Sequence, residues 1–461
     1  MKLWNSLILL VMVTSSLIPK TTGYPQRSSR QASFLSTLIT SLLRPNEDNI
    51  VVEDTADLAR MAGYAVERHT VITEDGYILT VHHIPPFGRR RRRAVDFSNF
   101  RINITTSPIN YDNKPTGISR DEENDNDKEY PSNQQRKDPK VVFLQHGLMG
   151  SSDNWNTNTK EDSLAYLLSD DGYDVWMGNI RGNIYSRKHK NLTYEDPQFW
   201  KFSYDEMAKY DLPAMLDYVL DKTGVEKLHY VGHSMGTTVF FALMSSQPEY
   251  QRRIASMVAL APVATVTSIS SPIKYLAPLV NELQFMLRLF GNDEELMTNR
   301  LLTSLWDPYK ACSNQAICEN LQFMITGFDP SRADQRMVPI ILTHNPAGSS
   351  TQTLFHFAQG FSSGRFQQFD WGKSLNMKNY GQETPPQYNV TNIKVPITLF
   401  WANNDWLTSQ KDINHLEKQL PHLRRSYKVS NPAFSHLDFL WATDARALVY
   451  ENIFEALQES P

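Results

Sequence analysis

Residues 227–244 read KLHYVGHSMGTTVFFALM, so a short apolar run, a G-x-S-x-G pentapeptide and a second apolar run follow one another. The first run has the composition of a strand buried on both faces, and the second is typical of a helix. A sharp turn from strand to helix lifts a serine hydroxyl out of the backbone, and only glycines fit its crowded flanks. The helix N-terminus then favours negative charge that develops beside the serine. This stretch predicts an α/β fold with Ser234 as a nucleophile.

Similar apolar runs recur along the chain and alternate with helical patterns. They lie at 140–145, 173–177, 256–261, 395–401 and 425–429. A hairpin precedes them, because alternating residues at 71–73 and 77–81 flank a Glu-Asp-Gly turn. Strands that alternate with helices predict a mainly parallel sheet covered on both faces. Within the helical pattern at 207–220, Pro213 predicts a kink.

A second G-x-S-x-G match lies at 360–364, around Ser362. It follows FHFAQ and precedes Arg365 and Phe366, without the strand-to-helix turn that a nucleophile needs. We interpret Ser362 as an ordinary loop serine.

The serine needs a base and an acid. A neighbouring imidazole must take its proton, and a carboxylate must fix the tautomer of that imidazole. In hydrolases that carry such a serine turn, the acid and then the histidine follow the serine along the chain. Asp405 comes just after a late predicted strand, and His436 lies in the loop after the strand that ends near Val429. We predict a catalytic triad of Ser234, Asp405 and His436.

Other acids and histidines compete for these roles. The rival acids are Asp412 and Asp438, of which Asp438 is too near His436 in sequence to face it easily across the sheet edge. The rival bases are His415 and His422, and both lie in a charged helical or turn segment. The first assignment remains the prediction.

A tight His-Gly turn at 145–149, read QHGLM, follows the first buried strand. Such a turn presents a backbone N–H toward the serine. We predict that the N–H groups of Leu148 and Met235 form the oxyanion hole, in which one donor typically contributes ~3 kcal/mol to lowering the barrier. His146 and His233 flank the site, and we expect them to position it rather than to transfer protons.

The N-terminus has the three-part pattern of a secretory signal peptide at 1–23: Lys2, an apolar run from residue 7, and small residues at 21–23. The apolar run is shorter than the ~20 residues that cross a bilayer, which disfavours the alternative of a membrane anchor. No later stretch is long enough to predict a transmembrane span. We predict a protein that is secreted or lysosomal.

Three N-x-T triplets, at Asn103, Asn191 and Asn389, predict glycosylation in the secretory route. Two cysteines, Cys312 and Cys318, are predicted to form a disulfide there, and two buried free thiols are the alternative.

The domain plan has four parts after the signal peptide. We predict a hydrolase core at 50–264, a charged and disordered insertion within it at 86–138, a helical cap at 265–389, and the rest of the core at 390–461. The insertion opens on five consecutive arginines at 89–93. They fit a protease processing site, a patch for anionic surfaces or a solvated loop neutralised by its own acidic half, and we favour the last.

Composition excludes several classes of protein. Hydrophobic residues make up 41% of the 461 residues, which excludes a mostly disordered chain. The net charge of −4 gives no overall basic field for nucleic acid. The 12 histidines contain no H-E-x-x-H pattern, and we interpret the His82–His83 pair as incidental. We predict neither a metal nor a cofactor, and the sequence does not predict an oligomeric state.

Many of these runs resemble the acid lipases, the family that includes gastric and lysosomal acid lipase. The matching runs are LQHGL at 144–148, YDVWMGN at 173–179, RGN at 181–183, SRKHK at 186–190, FSYDEMAKYDLP at 202–213, YVGHS at 230–234, PAG at 346–348, FDWG at 369–372 and DWL at 405–407. The resemblance spans about 50–455 outside the insertion. It implies an α/β-hydrolase core, with a cap and lid over the nucleophile. Met235 stands where the family commonly has glutamine, but only its backbone N–H is required.

The resemblance also implies the substrate, which is a triacylglycerol or cholesteryl ester at a lipid–water interface. The leading hypothesis is therefore a lipid ester hydrolase that works through an acyl-enzyme. Two alternatives are a catalytically silent lipid carrier on a lipase fold and a short-chain carboxylesterase.

Overall fold

The computed structural model describes residues 54–87, 140–271, 274, 295–296, 326–327, 330–334 and 336–459. The predicted signal peptide, nearly all of the predicted insertion, Asn103 and both cysteines lie outside these residues.

The strands of the described residues form one large sheet and one small pair. In chain order they are β1 (Glu67–Ile72), β2 (Tyr77–Ile84), β3 (Lys140–Gln145), β4 (Tyr173–Gly178), β5 (Lys188–His189), β6 (Leu228–His233), β7 (Ile254–Leu260), β8 (Glu295–Leu296), β9 (Ser349–Ser350), β10 (Ile397–Trp401) and β11 (Leu423–Lys428). The large sheet has the order β1-β2-β4-β3-β6-β7-β10-β11, with β5 against β2, while β8 and β9 pair separately. Strands β1, β2 and β4 pair antiparallel, and all pairs from β4 to β11 are parallel. The predicted hairpin and the predicted mainly parallel sheet are confirmed.

Helices connect the parallel strands. The described α-helices are α1 (Thr55–Met61), α2 (Leu164–Asp170), α3 (Tyr204–Glu206), α4 (Leu212–Thr223), α5 (Met235–Ser246), α6 (Val338–His344), α7 (Thr351–Ser363), α8 (Lys373–Tyr380), α9 (Gln410–Gln419), α10 (Asp438–Trp441) and α11 (Glu451–Gln458). Helix α2 joins β3 to β4, α5 joins β6 to β7, and α9 joins β10 to β11. Within the described part of the chain, no helix is both long enough and apolar enough to cross a membrane.

The core lies on both faces of the sheet. In β3, Val141 and Phe143 pack into one apolar cluster with side chains of α4 and α5. The alternate residues Val142 and Leu144 pack into a second cluster with side chains of α2 and α11. Because successive side chains of a strand point to opposite faces, both sets must be apolar. This is why β3 reads as a continuous apolar run.

Pro213 lies in a helical run that extends from α3 to α4. A π-helical turn, Met207–Asp211, precedes it, and the N–H of Leu212 donates to the carbonyl of Met207. Proline lacks an N–H and its ring crowds the carbonyl four residues back. The wider π turn accommodates this defect, where the sequence predicts only a kink.

A buried arginine joins the turn after β4 to the hairpin. The Arg181 guanidinium donates to Asp75 at 2.6 and 2.9 Å and to Asp211 at 2.8 Å. It also lies 3.9 Å from the centre of the Tyr77 ring. Charged groups without water are costly unless they are fully paired. This network therefore fixes the turn after β4.

Candidate active site

Ser234 lies at the turn between β6 and α5. Its φ of 53° and ψ of −119° are strained for a residue with a side chain. A β-carbon on Gly236 would lie 2.4 Å from the carbonyl oxygen of Gln145, so no larger residue fits there. The glycine therefore lets the start of α5 approach β3, and the serine is held on a sharp turn between strand and helix.

The structure brings together the three side chains of the predicted triad. The hydroxyl of Ser234 lies 2.8 Å from Nε2 of His436. Nδ1 of His436 lies 2.8 Å from Oδ2 of Asp405. All three side chains are buried. Asp405 follows β10 and His436 lies in the loop after β11, so these side chains come from the carboxyl ends of neighbouring parallel strands.

The second carboxylate oxygen of Asp405 is also occupied. Oδ1 accepts the N–H of Leu407 at 2.8 Å and the N–H of Thr408 at 2.9 Å. Burial alone would raise the pKa of Asp405, but the adjacent His436 and these hydrogen bonds hold it below its usual value. An ionised carboxylate can only accept, so the proton of neutral His436 is on Nδ1. Nε2 is therefore the acceptor for the hydroxyl proton of Ser234.

The backbone donors to Asp405 were not predicted from the sequence. They form an Asx-type turn, in which an aspartate accepts N–H groups two and three residues further along. The signal in the sequence is the position of Asp405 in the loop directly after a buried strand.

The turn after β3 lies against the nucleophile. A β-carbon on Gly147 would lie 3.1 Å from the Cβ of Ser234 and 3.2 Å from Nδ1 of His233. The next residue is Leu148, which is half-buried. The backbone N–H groups of Leu148 and Met235 make no hydrogen bond to other described residues. Both donors are therefore available to a bound group.

Two further histidines hold the loops around the site. His146 accepts the N–H of Ile180 through Nε2 at 3.2 Å and donates from Nδ1 to the carbonyl of Gly147 at 2.8 Å. His233 donates from Nε2 to the carbonyl of His436 at 2.9 Å. Burial lowers the pKa of His146 to about 4. Burial, together with the neighbouring imidazole of His436, lowers the pKa of His233 to about 3. Both rings are therefore neutral near pH 7 and fix the backbone.

Ser362 is not a loop serine, and this prediction was wrong. It lies in the last turn of α7, where it is exposed. The glycine that completes the pentapeptide, Gly364, ends this helix with a φ of 64°. Glycine is the usual residue at that position of a helix C-terminus. Both glycines thus belong to an ordinary helix end rather than to a strand-to-helix turn.

The rival acids and histidines have other surroundings. Asp438 accepts the N–H of Ser435 at 2.6 Å and a guanidinium N–H of Arg332 at 3.0 Å. Asp412 accepts the hydroxyl of Ser409 at the start of α9. The two rival histidines, His415 and His422, are exposed.

Two of the predicted glycosylation sites, Asn191 and Asn389, are exposed. Their glycosylation stays a prediction.

Two family models match the chain. One is described as the alpha/beta hydrolase fold and matches residues 140–443. The other is described as a partial alpha/beta-hydrolase lipase region and matches residues 55–159. Together these matches span the described hairpin, the large sheet and the positions of the triad.

Curated relatives match over most of their length. Gastric triacylglycerol lipase from Homo sapiens is 38% identical over 422 residues, which cover 88% of this chain and 92% of that protein. Lysosomal acid lipase/cholesteryl ester hydrolase from Homo sapiens is 39% identical over 402 residues, which cover 86% of this chain and 88% of that protein. Lipase member K from Homo sapiens is 38% identical, over 86% of this chain and 88% of that protein.

Proposed function

The chain belongs to the acid lipase family of α/β-hydrolases, and from this premise we propose that it is a serine hydrolase of lipid esters, with Ser234, His436 and Asp405 as its triad. The observation that carries the proposal is the pair of 2.8 Å hydrogen bonds that connect Ser234 to His436 and His436 to Asp405. The proton positions deduced above leave Nε2 ready to accept. The nucleophile, the base and the orienting acid thus have the hydrogen bonds that acyl transfer requires.

Acylation begins when Nε2 of His436 takes the hydroxyl proton of Ser234. The serine oxygen bonds to the ester carbonyl carbon, and the carbonyl oxygen becomes an oxyanion. The N–H groups of Leu148 and Met235 donate to this oxyanion, which is why both must lack partners inside the protein. The imidazolium then gives its proton to the departing alcohol oxygen as the ester bond breaks, and an acyl-serine remains.

Deacylation repeats these steps with water. His436 takes a proton from water, and the hydroxide oxygen bonds to the acyl carbon. The collapse of the second oxyanion releases the carboxylic acid and returns the proton to Ser234. Asp405 stays ionised throughout and stabilises the imidazolium in both halves of the reaction.

We assign the substrate class as esters of long-chain acyl groups. Relatives over most of this chain are named as a triacylglycerol lipase and a cholesteryl ester hydrolase. Each buried methylene contributes about 0.8 kcal/mol, so a long acyl chain offers far more binding energy than a short one. The substrate would be presented at a lipid–water interface, and the predicted cap at 265–389 would cover the acyl chain. A secreted or lysosomal location agrees with this assignment.

The test is a substrate panel at pH 4 to 8 with the purified full-length chain. The panel contains emulsified triacylglycerols, cholesteryl esters and soluble short-chain esters. We expect hydrolysis of the long-chain emulsions, total loss in Ser234→Ala and full activity in Ser362→Ala. The second variant is a matched control, because it removes the serine of the other G-x-S-x-G match.

Each of the other outcomes would indicate a different function or a different nucleophile. Activity confined to short soluble esters would replace the lipase with an esterase. A correctly folded chain without activity on any ester would favour a lipid carrier. Equal losses in the two serine variants would contradict the choice of nucleophile.

A further inference from the structure

The β1–β2 hairpin places three ligating side chains on one face at the edge of the large sheet. The register pairs Glu67 of β1 with His83 of β2. His69 is two residues after Glu67, so its side chain lies on the same face. One ligand atom from each of these three residues lies within 4.8 Å of the other two. This cluster belongs to the opposite end of the strand order from β10 and β11, which precede the loops of Asp405 and His436.

Two of the three separations between the ligand atoms fit a shared cation, and the third is within 4.8 Å. Oε2 of Glu67 lies 3.2 Å from Nε2 of His69 and 3.2 Å from Nδ1 of His83. Metal bonds of about 2.0–2.1 Å at tetrahedral angles hold two ligand atoms roughly 3.3 Å apart. In addition, Nε2 of His69 is buried, and its 3.2 Å contact with Glu67 lacks the geometry of a hydrogen bond.

The surroundings of His83 direct the lone pair on its Nδ1 toward Glu67. Its Nε2 lies 2.6 Å from Oδ1 of Asp174, and the indole N–H of Trp176 donates to the other oxygen of that carboxylate at 3.0 Å. A carboxylate accepts, so Nε2 of His83 carries the proton and Nδ1 of a neutral ring carries a lone pair. That lone pair faces the Glu67 carboxylate, which is also an acceptor. Two acceptors in contact are unfavourable unless a proton or a metal cation lies between them.

Both imidazoles are also held in place. Trp176 stacks on the His83 ring, with ring centres 4.0 Å apart. The hydroxyl of Tyr218 lies 3.0 Å from Nδ1 of His69, which leaves Nε2 of that ring to face Glu67. Histidines that bind a metal usually donate their other ring N–H to a carboxylate, which orients the ring. Asp174 has this position beside His83.

We propose that Glu67, His69 and His83 form a binding site for a zinc-class divalent cation. Two imidazoles and one carboxylate are the donor set that zinc prefers, whereas calcium and magnesium require more oxygen ligands. The Glu67 side chain is 59% exposed, which leaves the fourth position open to water. The cation would join β1 to β2 at the sheet edge. This site does not depend on the proposed hydrolase activity.

Zinc titration of the tag-free full-length chain at pH 7.5, against a chromophoric chelator, tests the proposal. We expect one zinc ion for each chain and a rise in melting temperature with zinc concentration. Asp174→Asn should weaken zinc binding by about 10- to 100-fold, since it removes only the outer support. His69→Ala, His83→Ala and Glu67→Gln should abolish it. His415→Ala, which removes one exposed histidine outside the site, should keep the affinity of the parent.

A second measurement distinguishes this geometry from adventitious binding. Co²⁺ in place of zinc should give the intense visible bands of a four-coordinate site, and these bands should disappear in Glu67→Gln. This variant is also informative if His83→Ala fails to fold, because the Glu67 side chain is exposed. Zinc affinity that is equal in Glu67→Gln and His415→Ala would overturn the proposal. A folded parent that binds no zinc would overturn it as well. Hydrolysis measured on the same samples keeps these results separate from the fate of the proposed function.

Discussion

Replacement of Asp405 by asparagine tests the proposed triad sharply, because the backbone around this residue forces the orientation of the new side chain. Leu407 and Thr408 donate two N–H groups to Oδ1, at 2.8 and 2.9 Å. The amide oxygen of asparagine must therefore take the place of Oδ1. Its NH₂ group then faces Nδ1 of His436, which is 2.8 Å from Oδ2 in the parent. The proton of the ring moves to Nε2, and Ser234 loses its acceptor.

The expected loss follows from the cost of the opposite orientation. With the amide turned round, one buried and one partly buried backbone N–H group would face a donor, and each unsatisfied group costs about 1–3 kcal/mol. A total near 4 kcal/mol leaves the productive orientation at about one molecule in 10³, since 1.36 kcal/mol corresponds to a factor of ten. Asparagine also lacks the charge that stabilises imidazolium. We therefore expect kcat to fall by about 10³- to 10⁴-fold in Asp405→Asn, with little change in KM.

The assay is steady-state hydrolysis of a soluble chromogenic ester, with the melting temperature of each variant measured alongside. The matched control is Asp412→Asn, in which the changed acid accepts from Ser409 at the start of α9 and has no contact with His436. We expect it to keep nearly all of the activity. The reasoning is refuted if Asp405→Asn retains more than a tenth of the parent kcat, or if Asp412→Asn loses as much as it does.

Three other changes probe the loops, the buried ion pair and the pH response. Gly147→Ala places a methyl group 3.1 Å from the Cβ of Ser234, and we expect kcat to fall about 10²-fold or more as the oxyanion donors shift, with substrate binding retained. Arg181→Met removes the cation that pairs with Asp211, whose side chain is fully buried. The change should lower the free energy of unfolding in urea by about 3–5 kcal/mol. The pKa of His233 is about 3 in the folded chain and near its ordinary value of 6.5 in the unfolded chain, so the unfolded chain binds a proton first and stability is lost as the pH falls below 6.5. Urea unfolding at pH 7.5 and 5 should show a loss about 2 kcal/mol smaller in His233→Gln than in the parent, and equal losses would contradict the assignment.

The positions of Ser234, Asp405 and His436 could be predicted from the sequence because of how parallel strands are arranged. All carboxyl ends of such strands meet at one edge of the sheet, so residues just after buried apolar runs become neighbours in space. The runs themselves are readable because both faces of β6 and β10 are buried. Strand-level pattern and chain order therefore predicted that these three side chains would meet, as they do in the structure.

Local conformation could not be predicted in the same way where one sequence pattern is compatible with two conformations. Gly360 to Gly364 satisfies the G-x-S-x-G spacing, yet it forms the end of α7 because a glycine also suits a helix C-terminus. Pro213 disturbs a helix, but whether the chain bends or inserts a π turn depends on packing against the sheet. The hydrogen bonds of α3, the π turn and α4 continue along one run. Neither outcome is encoded in the spacing of apolar residues.

The histidine cluster at β1 and β2 depends on a feature that composition and motif spacing do not contain. His69 and His83 are fourteen residues apart, and only the antiparallel register places them on one face with Glu67. A slip of one residue would move the β1 side chains to the other face of the sheet and separate the donors. Strand β1 is also the edge of the large sheet, where charged residues are common and a cross-strand group reads as ordinary polarity. Zinc affinity would consequently depend on the pairing of β1 with β2, whereas ester hydrolysis would depend on the loops of the triad.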